Sequence, residues 1–326
     1  MEYVIGGNVM LDTVRFADGT SHTRESIGGP ATFAYSGVKL WTDNVIQCSN
    51  VGADYHQLFD PWVEKNGVDV RGFKQVCEWC NHSHLVYYED GTYGSDQKYD
   101  LTTSAGQEYA IALRNERVQD MGYMKTSPAE LAAFTGEGDV KGVYMAQNAD
   151  KVWWDQLGAL KKRDGFKMMW EIEATSAYKN CLDKVIYACQ YVDIFSINIQ
   201  EAQKLFDMEG VEECIRELQK LPVDMTLFRV GEKGLYSVTP TKAYYLPPAQ
   251  SDKIVDPTGC GNTSTGSALY AYAEGYDALM VGIMANCASA QNIRQFGVIP
   301  DFGAVREEAF AQARTLYKYY RKEYGE

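Results

Sequence analysis

Asp256-Pro257-Thr258-Gly259-Cys260-Gly261-Asn262-Thr263-Ser264-Thr265-Gly266 sets two glycines one residue apart, ahead of a Thr/Ser-rich run. The pattern Ala268-Leu269-Tyr270-Ala271-Tyr272-Ala273 then predicts a helix over about 264–274. Glycine tolerates positive φ and lets backbone N–H groups approach a ligand closely. A helix that opens just beyond adds further N–H groups and the positive end of its dipole. Thr263 or Ser264 is placed to cap that helix. Together these features make an anion cradle suited to a phosphate. The same residues also fit a plain tight turn before a helix.

Outward from this segment, strand and helix patterns alternate. Strands are predicted at 3–5, 45–48, 143–146, 167–172, 193–197 and 225–230. Helices are predicted at about 30–40, 55–66, 150–162, 177–190, 199–206, 211–221, 278–293 and 305–322. Such alternation predicts βαβ units, a mostly parallel central sheet and helices on both faces. Sheets of this kind bind ligands beyond the carboxyl ends of their strands. Asp18-Gly19 and Asp90-Gly91 each sit between strand-like flanks and predict two hairpins. The two hairpins can pair into a small sheet beside the main body.

The chain has 326 residues, 45% hydrophobic and 23% charged, enough for a large core. A net charge of −13 argues against nucleic acid or an anionic membrane as partner. No apolar run approaches the about 18 residues of a membrane span. Met1-Glu2-Tyr3-Val4-Ile5 enters a strand at once, so no signal peptide is expected. Eight cysteines in such a chain read as reduced thiols, and a cytoplasmic location is expected.

The central stretch resembles the C-terminal signature D-T-x-G-A-G-D of the ribokinase-like (PfkB) carbohydrate kinases. The resemblance runs along nearly the whole chain in the family's order. Gly7-Asn8-Val9-Met10-Leu11-Asp12 is similar to the opening segment whose Asp holds sugar hydroxyls. Gly28-Gly29-Pro30-Ala31-Thr32 is similar to G-G-x-x-x-N, with Thr32 or Phe33 near the place of the family's Asn. Val51-Gly52-Ala53-Asp54 matches V-G-x-D. Asn198-x-x-Glu201 resembles the N-x-x-E that holds magnesium through waters. Glu171 and Glu173 leave the preceding strand at the same edge. Gly231-Glu232-Lys233-Gly234 looks like the turn that passes under the nucleotide, and Asn286 falls where the family contacts adenine.

This resemblance implies one ribokinase-like domain over 1–326. It would be a three-layer α/β sandwich with a β lid from about 13–27 and 80–100. It implies ATP, Mg²⁺ and K⁺ as cofactors, a sugar or nucleoside as substrate, and a homodimer through the lid. The implied acceptor site is Asn8, Asp12, Gly28, Gly29 and Thr32. The implied nucleotide site is Gly231, Gly234, Asp256, Thr258 and Asn286. Asn198 and Glu201 would serve the metal, and Gly259, Cys260, Gly261 and position 262 the chemistry. Tyr87, Tyr88 and Tyr93 of the lid would offer stacking surface.

Position 262 departs from the pattern: the family's catalytic base is Asp, and here it is Asn262. An amide of the same size bonds a hydroxyl but takes no proton. A kinase with another proton acceptor (Asp12, Asp54 or a phosphate oxygen) and a non-catalytic nucleotide and sugar sensor both remain open. Cys77-x-x-Cys80-x-His82-x-His84 has zinc-type residues but no common zinc spacing. Trp153-Trp154 and Tyr317, Tyr319 and Tyr320 suggest packing or an interface.

Overall fold

The computed structural model describes residues 1–89, 93–95, 124–136 and 138–325, with the backbone alone at 93 and 95. Its strands are β1 (Tyr3–Gly6), β2 (Met10–Arg15), β3 (Ser21–Gly28), β4 (Val45–Gly52), β5 (Phe73–Cys77), β6 (Asn81–Tyr87), β7 (Tyr93–Ser95), β8 (Gly142–Gln147), β9 (Lys167–Ile172), β10 (Ile194–Asn198), β11 (Met225–Arg229), β12 (Leu235–Val238) and β13 (Ala243–Leu246). Its helices are α1 (Pro30–Lys39), α2 (His56–Asn66), α3 (Pro128–Thr135), α4 (Lys151–Asp164), α5 (Leu182–Cys189), α6 (Ile199–Phe206), α7 (Val211–Leu218), α8 (Cys260–Ala273), α9 (Ala278–Asn292) and α10 (Phe302–Glu323).

Nine strands form one sheet in the order β13-β12-β11-β10-β9-β8-β1-β4-β5. Pairing is parallel from β5 to β11 and antiparallel where β12 and β13 join. Every residue of β1 and β4 is buried, as expected of parallel strands covered on both faces. Alternate side chains enter two cores. Tyr3, Ile5, Tyr144 and Met169 pack with Val38 of α1, Leu269 of α8 and Met284 of α9. Val4, Val143, Met145 and Trp170 pack with Leu157 of α4, Val185 of α5 and Leu205 of α6. The result is the three-layer α/β sandwich that the alternation predicts.

Four strands form a second sheet, β3-β2-β6-β7. The β2–β3 hairpin turns at Gly19 with φ 84°, and the Asp18 carboxylate accepts the Thr20 N–H at 2.8 Å. A parallel β2–β6 ladder joins this hairpin to the antiparallel β6–β7 pair. The turn expected at Asp90-Gly91 lies outside the described residues, as does the side chain of Tyr93.

Several boundaries differ from expectation. α8 begins at Cys260, four residues before the predicted start, because Gly259 turns the chain into the helix with φ 75° and no side-chain cap. Thr263 and Ser264 lie inside it: the Thr263 hydroxyl donates to Asn292 Oδ1 at 3.1 Å, and the Ser264 hydroxyl to the Gly261 carbonyl at 2.6 Å. The helix expected from 177 starts only at Leu182, after two short 3₁₀ turns. No described helix is long and apolar enough to cross a membrane.

Candidate active site

The loop before α8 is fixed by its own carboxylate. Asp256, almost fully buried, accepts the Thr258 N–H at 2.9 Å. Asn292 of α9 donates to the Thr258 carbonyl at 2.8 Å, and the Ser289 hydroxyl to the Cys260 carbonyl at 2.9 Å. The Cys260 N–H is used within the turn, on the Pro257 carbonyl at 3.1 Å. The next N–H groups, of Gly261 and Asn262, lie in the first helical turn, where none has a partner within the helix. Burial pushes the Cys260 thiol up to about 12, so this side chain is a packing group and no nucleophile.

Space requires glycine at 259, and at 261 a side chain would have to push the tip of Arg229 aside. A Cβ at Gly259 would lie 2.1 Å from the Phe33 ring, and one at Gly261 would lie 2.1 Å from Arg229 Nη1. Gly259→Ala combines that collision with a left-handed backbone that costs L residues about 1–3 kcal/mol. The variant is expected to lose at least that much stability in denaturant unfolding. An unchanged midpoint would contradict this geometry.

Five side chains gather at the cradle. The Tyr144 hydroxyl donates to Glu171 Oε2 at 2.7 Å and is hydrogen-bonded by the Asn262 side chain. Since the phenol proton is committed to Glu171, Asn262 must donate through its NH₂. Burial and the Glu171 charge hold the Tyr144 phenol far above its ordinary value. Glu171 Oε1 pairs with Arg229 Nη2 at 2.9 Å, and Glu201 Oε2 lies 4.0 Å from the same nitrogen. Glu171, Asn198 and Arg229 sit at the carboxyl ends of β9, β10 and β11, the edge expected to bind ligands.

The acceptor side is built on Asp12. It is buried on β2, opposite Ser26 of β3 and Ser83 of β6. Burial, then the Asp256 charge, push its carboxyl up to about 7, against the pull of the Gly29 N–H and His82. Gly28 leaves it room, because a Cβ there would lie 1.8 Å from Asp12 Oδ2. Gly29, with φ 93°, packs against the backbone of Asn8 and Met10. The Asn8 carbonyl accepts the Ala31 N–H at 3.3 Å. Thr32 is fully buried and accepts from Gln47 Nε2 at 3.1 Å, so it braces α1 beneath the site.

Two links join the acceptor side to the cradle. Phe33, four residues after Gly29, packs on Gly259. From the small sheet, the Tyr87 hydroxyl meets Thr258 Oγ1 at 2.9 Å. Beside this contact Phe16 stacks on Tyr87 with centroids 6.0 Å apart, and His22 stacks on Phe296 at 3.7 Å. Asp12 and Gly261 therefore flank one region.

On the far side of the cradle, Gly231 and Gly234 bound a 3₁₀ turn with φ 63° and 96°. Gly234 lets the end of β13 approach: a Cβ would lie 2.2 Å from the Leu246 carbonyl. Asn286 donates to the Leu246 and Pro247 carbonyls at 3.2 and 2.9 Å, so Gly234 and Asn286 share one backbone segment. Asn198 and Glu201 form a reciprocal capping box on α6: Asn198 Oδ1 accepts the Glu201 N–H, and Glu201 Oε2 accepts the Asn198 N–H, both at 2.9 Å. Glu173 pairs with Lys125 at 3.3 Å.

Among the described residues no group of three His, Cys, Asp or Glu side chains is gathered to cage a metal. His84 bonds the Thr13 hydroxyl at 2.7 Å. His82 lies between Asp54, at 2.6 Å, and Glu25. Burial opposes its charge, but the bonds to Asp54 and Glu25 prevail and push it up to about 9. Stability from this pair is complete below the unfolded value of about 6.5 and is lost as pH rises through about 9. His82→Gln is expected to flatten the fall of melting temperature across that window. An equally steep fall in the variant would contradict the assignment.

Tyr144 and Arg229 were not legible as site residues. Tyr144 lies mid-strand in an apolar run that looks like core. Arg229 gave one signal, a charged side chain at the carboxyl end of a strand before a glycine turn.

A family model described as pfkB family carbohydrate kinase matches residues 3–302. The chain is 22% identical over 280 residues to a cytidine kinase of Thermococcus kodakarensis, covering 84% of this chain and 90% of that one. A nucleoside kinase of Burkholderia thailandensis in complex with ADP-inosine shares its fold with a TM-score of 0.70 at 15% identity, over 96% of this chain and 95% of that one. The ribokinase of Arabidopsis thaliana complexed with ribose and ATP gives a TM-score of 0.65 at 16% identity, over 95% and 97%.

Proposed function

Since the chain belongs to the pfkB family of carbohydrate kinases, we propose that it transfers the γ-phosphoryl group of ATP to a hydroxyl of a nucleoside or related ribose-containing acceptor. One observation carries this reading: a buried carboxylate suited to paired hydroxyls, Asp12, flanks the same region as the helix-start amides of Gly261 and Asn262. A carboxylate accepts two hydroxyl hydrogen bonds at once. Helix-start amides hold a phosphoryl group. A relative named cytidine kinase and a neighbour named nucleoside kinase, in complex with ADP-inosine, favour a nucleoside over a free sugar.

In the transfer, the acceptor oxygen bonds the γ-phosphorus and the bond from that phosphorus to the bridging oxygen of ADP breaks. The transition state is loose, so positioning and charge dominate. Asn262, its NH₂ held by Tyr144, keeps its carbonyl oxygen for the attacking hydroxyl. The proton goes to an oxygen of the transferring phosphoryl group. Asp54 is a poor acceptor: despite burial, its bonds to His82 and the Cys80 N–H hold its carboxyl below the usual range.

The donors present suit a hydrated magnesium ion brought in by the nucleotide, which needs one or two carboxylates besides phosphates and waters. Glu201 is the protein-side carboxylate, with Asn198 as its brace. The ion would neutralise phosphate charge. The small sheet acts as a lid over the acceptor and as a dimer face, and the cytoplasm is the expected compartment.

The test is ADP release with ATP, Mg²⁺ and a panel of nucleosides and sugars. Turnover with a nucleoside supports the reading. If no acceptor yields ADP but ATP raises the melting temperature, the chain is a nucleotide sensor, a reading that the missing carboxylate at 262 favours. If ATP does not raise it at all, both fail.

A further inference from the structure

We propose that Arg229 is a phosphoryl-contacting residue of this chain, its guanidinium placed at the cradle to meet the terminal phosphate of the bound nucleotide. The proposal rests on the kinase reading above and deepens it. The guanidinium is largely buried, with 15% of the side chain exposed. One arm of its fork, Nη2, is clamped by Glu171 at 2.9 Å. The other arm, Nη1, lies against the backbone of Gly261, where any Cβ would come within 2.1 Å. A structural ion pair needs only the first contact. The second puts the cation beside the amides that would hold the phosphoryl group. A planar fork suits phosphate oxygens, and its charge does not titrate in the physiological range.

Glu171 is then a positioning residue. It fixes the fork from one side and receives the Tyr144 hydroxyl at 2.7 Å on the other, so one carboxylate orients both Arg229 and, through Tyr144, Asn262. Because no metal cage of three His, Cys, Asp or Glu side chains is gathered among the described residues, a fixed guanidinium adds charge to the γ-phosphoryl beside that of a nucleotide-borne ion. ATP, with a γ-phosphate at the cradle, should feel Arg229; ADP should not.

The experiment is calorimetric titration of ATP and ADP, with and without Mg²⁺, into the unchanged chain and the pair variant Arg229→Gln with Glu171→Gln. Changing both leaves no Glu171 carboxylate without its cation, and Glu201, 4.0 Å from the same Arg229 nitrogen, keeps the Asn198 N–H at 2.9 Å. Arg229→Met with Glu171→Gln is run alongside, in case the first pair fails to fold. A lost charge-assisted contact is expected to weaken ATP by about tenfold or more, most clearly without Mg²⁺, while ADP stays within about twofold. A folded pair variant that binds ATP as tightly as the unchanged chain overturns the proposal, as does an equal loss for ATP and ADP. An unchanged chain that binds neither nucleotide brings down the kinase reading and this inference with it. The two failures are thus distinguishable.

Discussion

Asn262→Asp is expected to raise phosphoryl-transfer turnover by about a hundredfold or more, the usual worth of a positioned general base. The new carboxylate would face the Tyr144 oxygen, which now accepts a hydrogen bond from Asn262 and gives its own proton to Glu171. An Asp there has no proton to offer at neutral pH. It would repel that lone pair and stand near Glu171, so its own pKa would be drawn upward. For a general base this moves toward the working range. The same crowding should lower stability, since a charge is added at a half-buried position beside Glu171. A gain in turnover with a loss in melting temperature is therefore the expected signature. Steady-state kinetics beside thermal unfolding reads both. If turnover stays at background while ATP binding is kept, the missing base is not what limits this chain, and the sensor reading gains.

The second large effect concerns Asp12. Asp12→Asn is expected to weaken the acceptor by about ten- to hundredfold, because two charge-assisted hydrogen bonds of about 1.5–3 kcal/mol each become neutral ones of about half that worth. Stability should move the other way. The Asp12 carboxyl is pushed up to about 7, so the native state holds a proton that the unfolded chain releases near pH 4. Stability of the ligand-free protein thus falls as pH rises from about 4 to about 7, and the Asn variant removes that fall. The variant should be at least as stable as the unchanged chain at pH 8 while its acceptor KM rises. Acceptor affinity in the unchanged chain should strengthen as pH rises through about 7, as the carboxylate ionises. A pure packing role for Asp12 would give the reverse, lower stability with KM unmoved.

Much of the architecture could be read from local pattern. The parallel sheet followed from strands and helices in alternation, and the β2–β3 half of the small sheet from Asp18-Gly19. The start of α8 was misplaced because its cap is a backbone conformation. Gly259 supplies a positive φ and no side-chain signal, whereas Thr263 and Ser264 mimic a cap and spend their hydroxyls elsewhere. The helix α3 carried a legible sign, Ser127 and Glu130 in a reciprocal capping box. The β12–β13 pair was missed because the link at 239–242 has no glycine or Asn-Gly signal. Asp12, Gly28, Gly29 and the cradle glycines could be picked out as candidates because each is tied to its neighbours in the chain. Tyr144, Glu171 and Arg229 meet only through the sheet register, which sets Ala146 beside Glu171 and Asn198 beside Arg229. Local spacing carries no trace of that meeting. Thr32 shows the opposite case: its place in the motif suggested a ligand contact, yet it turns inward to Gln47.

The most direct measurement is a crystal structure of the chain with a non-hydrolysable ATP analogue and an acceptor nucleoside. The account predicts the terminal phosphate within about 3 Å of the Gly261 and Asn262 amide nitrogens, and ribose hydroxyls on the Asp12 carboxylate. Phosphates bound away from the start of α8, or an acceptor that leaves Asp12 untouched, would contradict it.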